Sequence, residues 1–315
     1  MYPGGQPGRP RPAAARTETA RPMKSLKGSM TALVTPFRNG KVDAAAFQTL
    51  VDRQVRGGTA AIIPAGTTGE SATLTHDEHR RVISLAVEAA AGRAIVMAGA
   101  GSNATAEAIE LARFAEKAGA DALLTVTGYY NKPTQAGLIA HFTALHDATS
   151  LPIILYNVPG RTVANLSVET IGVLSKLPRI VGVKDATGDL ARVALQRLAS
   201  GPDFIQLSGE DMTAVGFNAM GGVGCISVTA NVAPDLCAMM HAATFAGDYA
   251  KAVAMQDRLA PLHEVLFVET SPGPVKYAMS LMGLCSDELR LPLVSPSDAT
   301  KARVRAALRG LGLID

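Results

Sequence analysis

From Ser29 onward, apolar runs of five to eight residues alternate with longer stretches whose apolar positions recur at three- and four-residue steps. The short runs read as strands buried on both faces, and the intervals as amphipathic helices. Strands are expected at 30–35, 60–66, 94–100, 122–127, 153–158, 180–187, 204–209 and 224–228. Phe47, Leu50, Val51, Gln54 and Val55 follow the helical period. Thr75 and Glu78 form a capping box that opens a helix through Glu88. Eight βα units in about 200 residues predict an α/β fold, a (β/α)8 TIM barrel, over 23–232. Residues 233–315 read as additional C-terminal helices packed on the barrel, interrupted at Pro272-Gly273-Pro274. An open doubly wound sheet is the competing topology, and the absence of GxGxxG after the first strand counts against it.

Residues 1–22 carry Pro, Gly, Ala and Arg with almost no large apolar side chain, so they are expected to be a disordered tail. Their abundant Arg also fits a transit peptide, against which the Pro-Gly start counts, and Met23 is an alternative start. Four arginines against Glu18 in this tail account for the whole formal charge of +3, leaving the remainder neutral. No basic stripe with interleaved aromatics points to nucleic acid, and no apolar run reaches the ~18 residues of a membrane span. Cys225, Cys237 and Cys285 fit no metal or redox spacing. A reducing compartment, hence a cytoplasmic location, is expected.

In a barrel of this kind reactive groups sit at the carboxyl ends of strands. Lys184 closes the run Ile180-Val181-Gly182-Val183, where an unpaired ammonium would cost several kcal/mol. Either its charge is compensated or the amine is neutral, and a neutral amine attacks carbonyl carbon to form a Schiff base. The alternative is a structural lysine paired with Asp185 or another buried carboxylate. Asp185, as the next residue on the strand, should point to the opposite side. Position alone does not separate the two readings.

The other strand ends add Thr67 and Thr68 in Gly66-Thr67-Thr68-Gly69-Glu70-Ser71, Tyr129 and Tyr130, Tyr156, and Arg161 after a Pro-Gly turn. Hydroxyls and backbone N–H groups suit a small carboxylate, phenols can carry protons, and a guanidinium grips a carboxylate in bidentate fashion. Singly, each has a bland alternative: a turn, a core tyrosine, a solvated arginine. Gly221-Gly222-Val223-Gly224 precedes its strand, at the wrong end for a barrel phosphate site. His76 and His79 share one helix face and Asn103 and Glu107 the next. HxxH can hold a metal, but no third ligand is evident and no metal is expected.

Taken together, Gly66-Thr67-Thr68-Gly69-Glu70, Tyr129-Tyr130-Asn131-Lys132-Pro133, Tyr156-Asn157-Val158-Pro159-Gly160-Arg161-Thr162 and Gly182-Val183-Lys184-Asp185 closely resemble the 4-hydroxy-tetrahydrodipicolinate synthases, or dihydrodipicolinate synthases, of the N-acetylneuraminate lyase superfamily. The resemblance runs from about Ser29 to Val294. It implies that Lys184 forms an imine with pyruvate and that Thr67, Thr68, Gly209 and the Ile226 region help bind it. Tyr156 would be the acid/base, relayed through Thr67 to Tyr130 of a neighbouring subunit, in a homotetramer built as a dimer of dimers. The enamine would attack L-aspartate 4-semialdehyde, whose carboxylate Arg161 would hold, in the diaminopimelate route to lysine. No cofactor is implied.

The same resemblance matches Ser71, His76, His79, Asn103, Glu107 and Tyr129 to a site for the feedback inhibitor L-lysine. The chain departs from the family pattern at Gly128, where proline is common, and at Ser271 and Tyr277, where Asn and Trp are more usual. The competing activities are an N-acetylneuraminate-type lyase and an aldolase or dehydratase for 2-keto-3-deoxy sugar acids, whose second-substrate positions usually differ from Pro-Gly-Arg-Thr. A regulatory barrel that binds pyruvate or lysine without turnover would have no use for the Lys184, Tyr156, Thr67 and Tyr130 set.

Overall fold

A computed structural model describes residues 25–315, so the expected tail at 1–22 lies outside the described residues. The first strand, β1 (Gly28–Ala32), is followed by a small antiparallel hairpin of β2 (Phe37–Arg38) and β3 (Lys41–Val42). Seven more strands follow: β4 (Ala61–Ile63), β5 (Ile95–Gly99), β6 (Ala122–Val126), β7 (Ile153–Asn157), β8 (Ile180–Asp185), β9 (Ile205–Ser208) and β10 (Gly224–Ser227). All but the hairpin run parallel, each beside its successor, and β10 returns to β1 with Gly28 opposite Gly224 to close a (β/α)8 barrel. All eight expected strands are present. The second is the most shortened: Ala65 takes a left-handed φ of +53°, so the chain turns while its side chains stay buried and apolar.

Alternation explains the unbroken apolar runs. Met30, Ile63, Met97, Leu124, Ile154, Leu207 and Ile226 fill the barrel interior. Their neighbours Ile62, Val96, Leu123, Leu155, Val183 and Cys225 face the surrounding helices. Several helices start where side chains supply caps. Asp43 accepts the Ala46 N–H at the head of helix Ala44–Arg56. The expected capping box is reciprocal: Glu78 N donates to Thr75 Oγ1 at 3.2 Å and Thr75 N to Glu78 Oε2 at 2.9 Å, heading helix His76–Ala90.

Helix Pro234–Phe245, which the sequence groups with the C-terminal helices, packs on β1 and on helix Ala44–Arg56 and completes the ring around the barrel. Helices Tyr249–Val265, Gly273–Leu281 and Asp298–Gly310 lie beyond it. The Pro-Gly-Pro segment separates the first two of these and opens the second, where a missing N–H costs nothing.

Beneath this ring, His241 is 2% exposed and its Nδ1 accepts from Asn218 Nδ2 at 2.9 Å. Burial pulls its pKa down to about 4, against the opposing pull of the Asp211 charge. Burial lowers His263 as well. A depressed histidine leaves the fold at full stability above the unfolded value near 6.5 and withdraws stability as pH falls below it. For His241 alone the loss by pH 4 is on the order of 3 kcal/mol. The melting temperature should therefore drop steeply from pH 6.5 to 4.5, and His241→Gln should flatten that slope. Equal slopes in both proteins would contradict this assignment.

Candidate active site

Lys184 reaches the barrel interior because of a slip in register. Ile153 pairs with Ile180, but the next residue, Ile154, pairs with Gly182, leaving Val181 as an extra residue on β8. Since successive side chains alternate faces, one inserted residue exchanges the faces of everything after it. Tyr156 therefore stands beside Lys184 on the inner face, and Asn157 beside Asp185 on the outer. Under strict alternation from the outward-facing Ile180, with no slip, the lysine would point into the helical layer. Gly182 is required at the slip, because a Cβ there would run into the Ile205 carbonyl and come within 2.9 Å of Ile154 Cδ1.

The lysine is 6% exposed, with Nζ 4.1 Å from the centre of the Tyr156 ring. Asp185 is fully engaged elsewhere. Its Oδ1 accepts from Thr187 N and Oγ1, and its Oδ2 from Arg192 Nε at 2.9 Å and Gln196 Nε2 at 2.6 Å. Among the described residues no carboxylate lies within ion-pair distance of Lys184. The structural-lysine alternative thus loses its nearest partner, and an amine without a counter-ion faces the barrel mouth. Gly209 keeps that amine's stem free, since a Cβ there would approach Lys184 Cε to 3.0 Å. Ile226 lies on the same inner surface as Tyr156.

The segment after β4 is a compact turn. Gly69 N and Ser71 N both donate to the Gly66 carbonyl, and Glu70 N to that of Thr67. Thr68 is buried and Thr67 is open to solvent. After β7, Asn157 holds the returning loop through Asn165 Oδ1 and Leu166 N, so the short helix Pro159–Thr162 presents an exposed Arg161 at the rim. A cavity of about 510 Å³ is bordered by Thr67 on one side and Arg161 on the other. Lys184 and Tyr156, both buried, are not part of its wall.

That same cavity extends to five of the six residues matched to an inhibitor site: Ser71, His76, His79, Glu107 and Tyr129. The sixth, Asn103, donates from Nδ2 to the Tyr129 carbonyl, and Asn131 Nδ2 donates back to the Asn103 carbonyl. His76 Nε2 is 3.2 Å from Glu107, whose other oxygen accepts from Ser102 Oγ. His79 Nε2 donates to the Gly99 carbonyl at 2.7 Å, and burial lowers its pKa, so it stands as a neutral donor at pH 7. Thr270 and Ser271 of the C-terminal region also border the cavity.

Tyr130 does not join this group. It is 90% exposed and takes a left-handed φ of +69°, as Lys132 does at +47°, so the loop throws the phenol away from its own barrel. Sequence reasoning missed Ser102 and Val181 as contributors, and had Ser271 only as a departure from the family pattern. A serine ahead of a helix and a valine in an apolar strand carry no signal; Gly182, next to a slip, is the only trace.

With this geometry in place, comparison with known proteins is direct. Residues 25–311 match the dihydrodipicolinate synthetase family, and the chain belongs to it, a family of (β/α)8-barrel lyases. The 4-hydroxy-tetrahydrodipicolinate synthase of Cereibacter sphaeroides is 62% identical over 289 residues, covering 92% of this chain and all of that protein. Among solved structures, the chloride-inhibited dihydrodipicolinate synthase of Acinetobacter baumannii complexed with pyruvate is 43% identical. It matches 92% of this chain and all of its own with a TM-score of 0.90. The enzyme of Cyanidioschyzon merolae with lysine bound is 39% identical, covering 91% and 99% of the two chains with a TM-score of 0.89.

Gly182→Ala should cost about 1–3 kcal/mol from overpacking at the slip. Denaturant unfolding measures it; an unchanged midpoint would show that the strand accommodates the methyl group.

Proposed function

We infer that this chain condenses pyruvate with L-aspartate 4-semialdehyde to give 4-hydroxy-tetrahydrodipicolinate, and that L-lysine inhibits it. The observation that carries the reading is the inward Lys184 beside Tyr156, at the carboxyl end of a barrel strand and without a carboxylate partner. The names of the relatives supply the product and pyruvate; the semialdehyde is what the resemblance of the motifs implies. Lys184 Nζ attacks the pyruvate C2 carbonyl, and water leaves as the imine forms. The cationic nitrogen then takes up the electrons released when a C3 proton departs, giving the enamine. C3 of the enamine attacks the aldehyde carbon, Lys184 is freed by transfer of its imine to the substrate amine, and the ring closes. Tyr156 moves the protons, with Thr67 as the next link of the relay.

Thr68 with Gly209 and the Ile226 region receives pyruvate, and Arg161 at the rim binds the carboxylate of the semialdehyde by a charge-assisted fork. Tyr130, turned away from its own barrel, completes the relay in a second copy of the chain, so the working unit is an oligomer, a tetramer in this reading. At the other end of the cavity, the Glu107 carboxylate faces a lysine ammonium, with His76, His79, Ser71, Asn103 and Tyr129 completing the effector site. Tyr129 precedes Tyr130 in the chain, so effector and relay share one loop.

In an assay coupled to a reductase, pyruvate and the semialdehyde should be consumed, L-lysine should slow the rate, and Lys184→Ala should abolish it while the fold persists. Tyr156→Phe should lower kcat by about 10²-fold or more. Glu107→Gln should raise the lysine concentration needed for half-inhibition. Turnover of a sugar-derived aldehyde in place of the semialdehyde would move the chain to the aldolase reading.

Chain sharing has its own test. Mixing Tyr130→Phe subunits with Tyr156→Phe subunits through dissociation and reassembly should restore activity, because a mixed pair contains one site with both phenols intact. No recovery in verified mixed oligomers would mean that each chain supplies its own Tyr130.

A further inference from the structure

Beside the cavity lies an ion pair between Glu70, at the end of the Thr67–Thr68 turn, and Lys276, in helix Gly273–Leu281 of the C-terminal region. Lys276 Nζ donates to Glu70 Oε1 at 2.7 Å, and neither side chain has any exposure. The other carboxylate oxygen accepts from the Arg290 backbone N at 3.1 Å. Phe37 lies against both cations, 4.2 Å from the ammonium and 4.4 Å from the Arg290 guanidinium. That guanidinium continues to Glu78 and to the Thr73 carbonyl, at the head of the helix that carries His76 and His79. Burial lowers the Lys276 pKa and the Glu70 charge opposes that shift.

Two features separate this pair from an ordinary tertiary contact. Glu70 has a left-handed φ of +54°, which a side chain other than Gly or Asn rarely takes unless the surroundings hold it. Of the turn's hydrogen bonds, that of Ser71 N to the Gly66 carbonyl, which closes the turn back on its first residue, lies beyond the Glu70 φ and depends on that conformation. A buried ion pair is also a poor choice for stability alone, where an apolar contact serves as well; here its directional bonds hold one Glu70 oxygen on Lys276 Nζ and the other on the Arg290 N–H.

We propose that Glu70 and Lys276 are positioning residues: their ion pair locks the left-handed turn that aims the Thr67 and Thr68 hydroxyls at the substrate bound on Lys184. This rests on the imine reading above and gives the C-terminal helices a direct part in the reaction. Lys184 itself stands on β8, outside the turn, so without the lock the amine keeps its place and still captures pyruvate at saturation, while the hydroxyls lose theirs.

The test compares the wild-type protein with Glu70→Gln/Lys276→Met, which removes both charges and strands neither. Three quantities are read: the melting temperature, borohydride trapping at saturating pyruvate, and kcat and KM for pyruvate. The double variant should melt close to wild type and still trap pyruvate at Lys184. Its kcat/KM should fall ten- to a hundredfold, as expected of reacting groups displaced by about 1 Å, with kcat contributing through Thr67 and KM through Thr68. Wild-type kcat and KM in the folded double variant would overturn the proposal. So would trapping, turnover and melting temperature falling together, the sign of a merely structural contact. Failure of the wild-type protein to trap pyruvate would instead overturn the reading beneath it, and the positioning role with it.

Discussion

The site depends on the parity of one strand. A barrel strand assigns its residues alternately to the interior and to the helical layer, and β8 has to deliver an amine inward while its neighbour Asp185 goes outward. The unpaired Val181 sets that parity, and Gly182 makes room for it. Both consequences are visible in the partners: Asp185 is saturated by Arg192, Gln196 and Thr187 in the outer layer, and Lys184 stands beside Tyr156. Alternation keeps the carboxylate and the amine on opposite faces, and the slip decides that the amine is the one that faces inward.

The cavity and the C-terminal helices then place the remaining groups around this fixed point. The Thr67–Thr68 turn is held from outside the barrel by Lys276 and the backbone of Arg290, and the helix carrying His76 and His79 is held by the Arg290 side chain. One residue thus touches the supports of both ends of the cavity. Coupling between an effector and the reacting centre has two physical routes here: this shared support, and the Tyr129–Tyr130 loop tied to Asn103.

Much of the architecture was legible because buried parallel strands write themselves as apolar runs and the capping box has a fixed spacing. Eight strands and the start of helix His76–Ala90 are found where the pattern puts them. Strand ends were less legible, since Ala65 is as buried after the chain turns as before it. Helix Pro234–Phe245 reads in sequence like its successors, and only its packing on β1 assigns it to the ring. Of the site, the residue types at strand ends were readable one by one. The slip that turns Lys184 inward was not, because Val181 is as apolar as a regular strand residue. The outward direction of Tyr130 was implied only by the family resemblance; its local cause, two left-handed residues that are not glycine, leaves no mark in the residue types.

The central claim is that Lys184 is the nucleophile, and the most direct measurement is borohydride reduction of the protein in the presence of pyruvate, followed by peptide mapping by mass spectrometry. The account predicts one reduced pyruvate adduct, on the peptide containing Lys184. Its absence, or an adduct on Lys276 or another lysine with Lys184 unmodified, would contradict it.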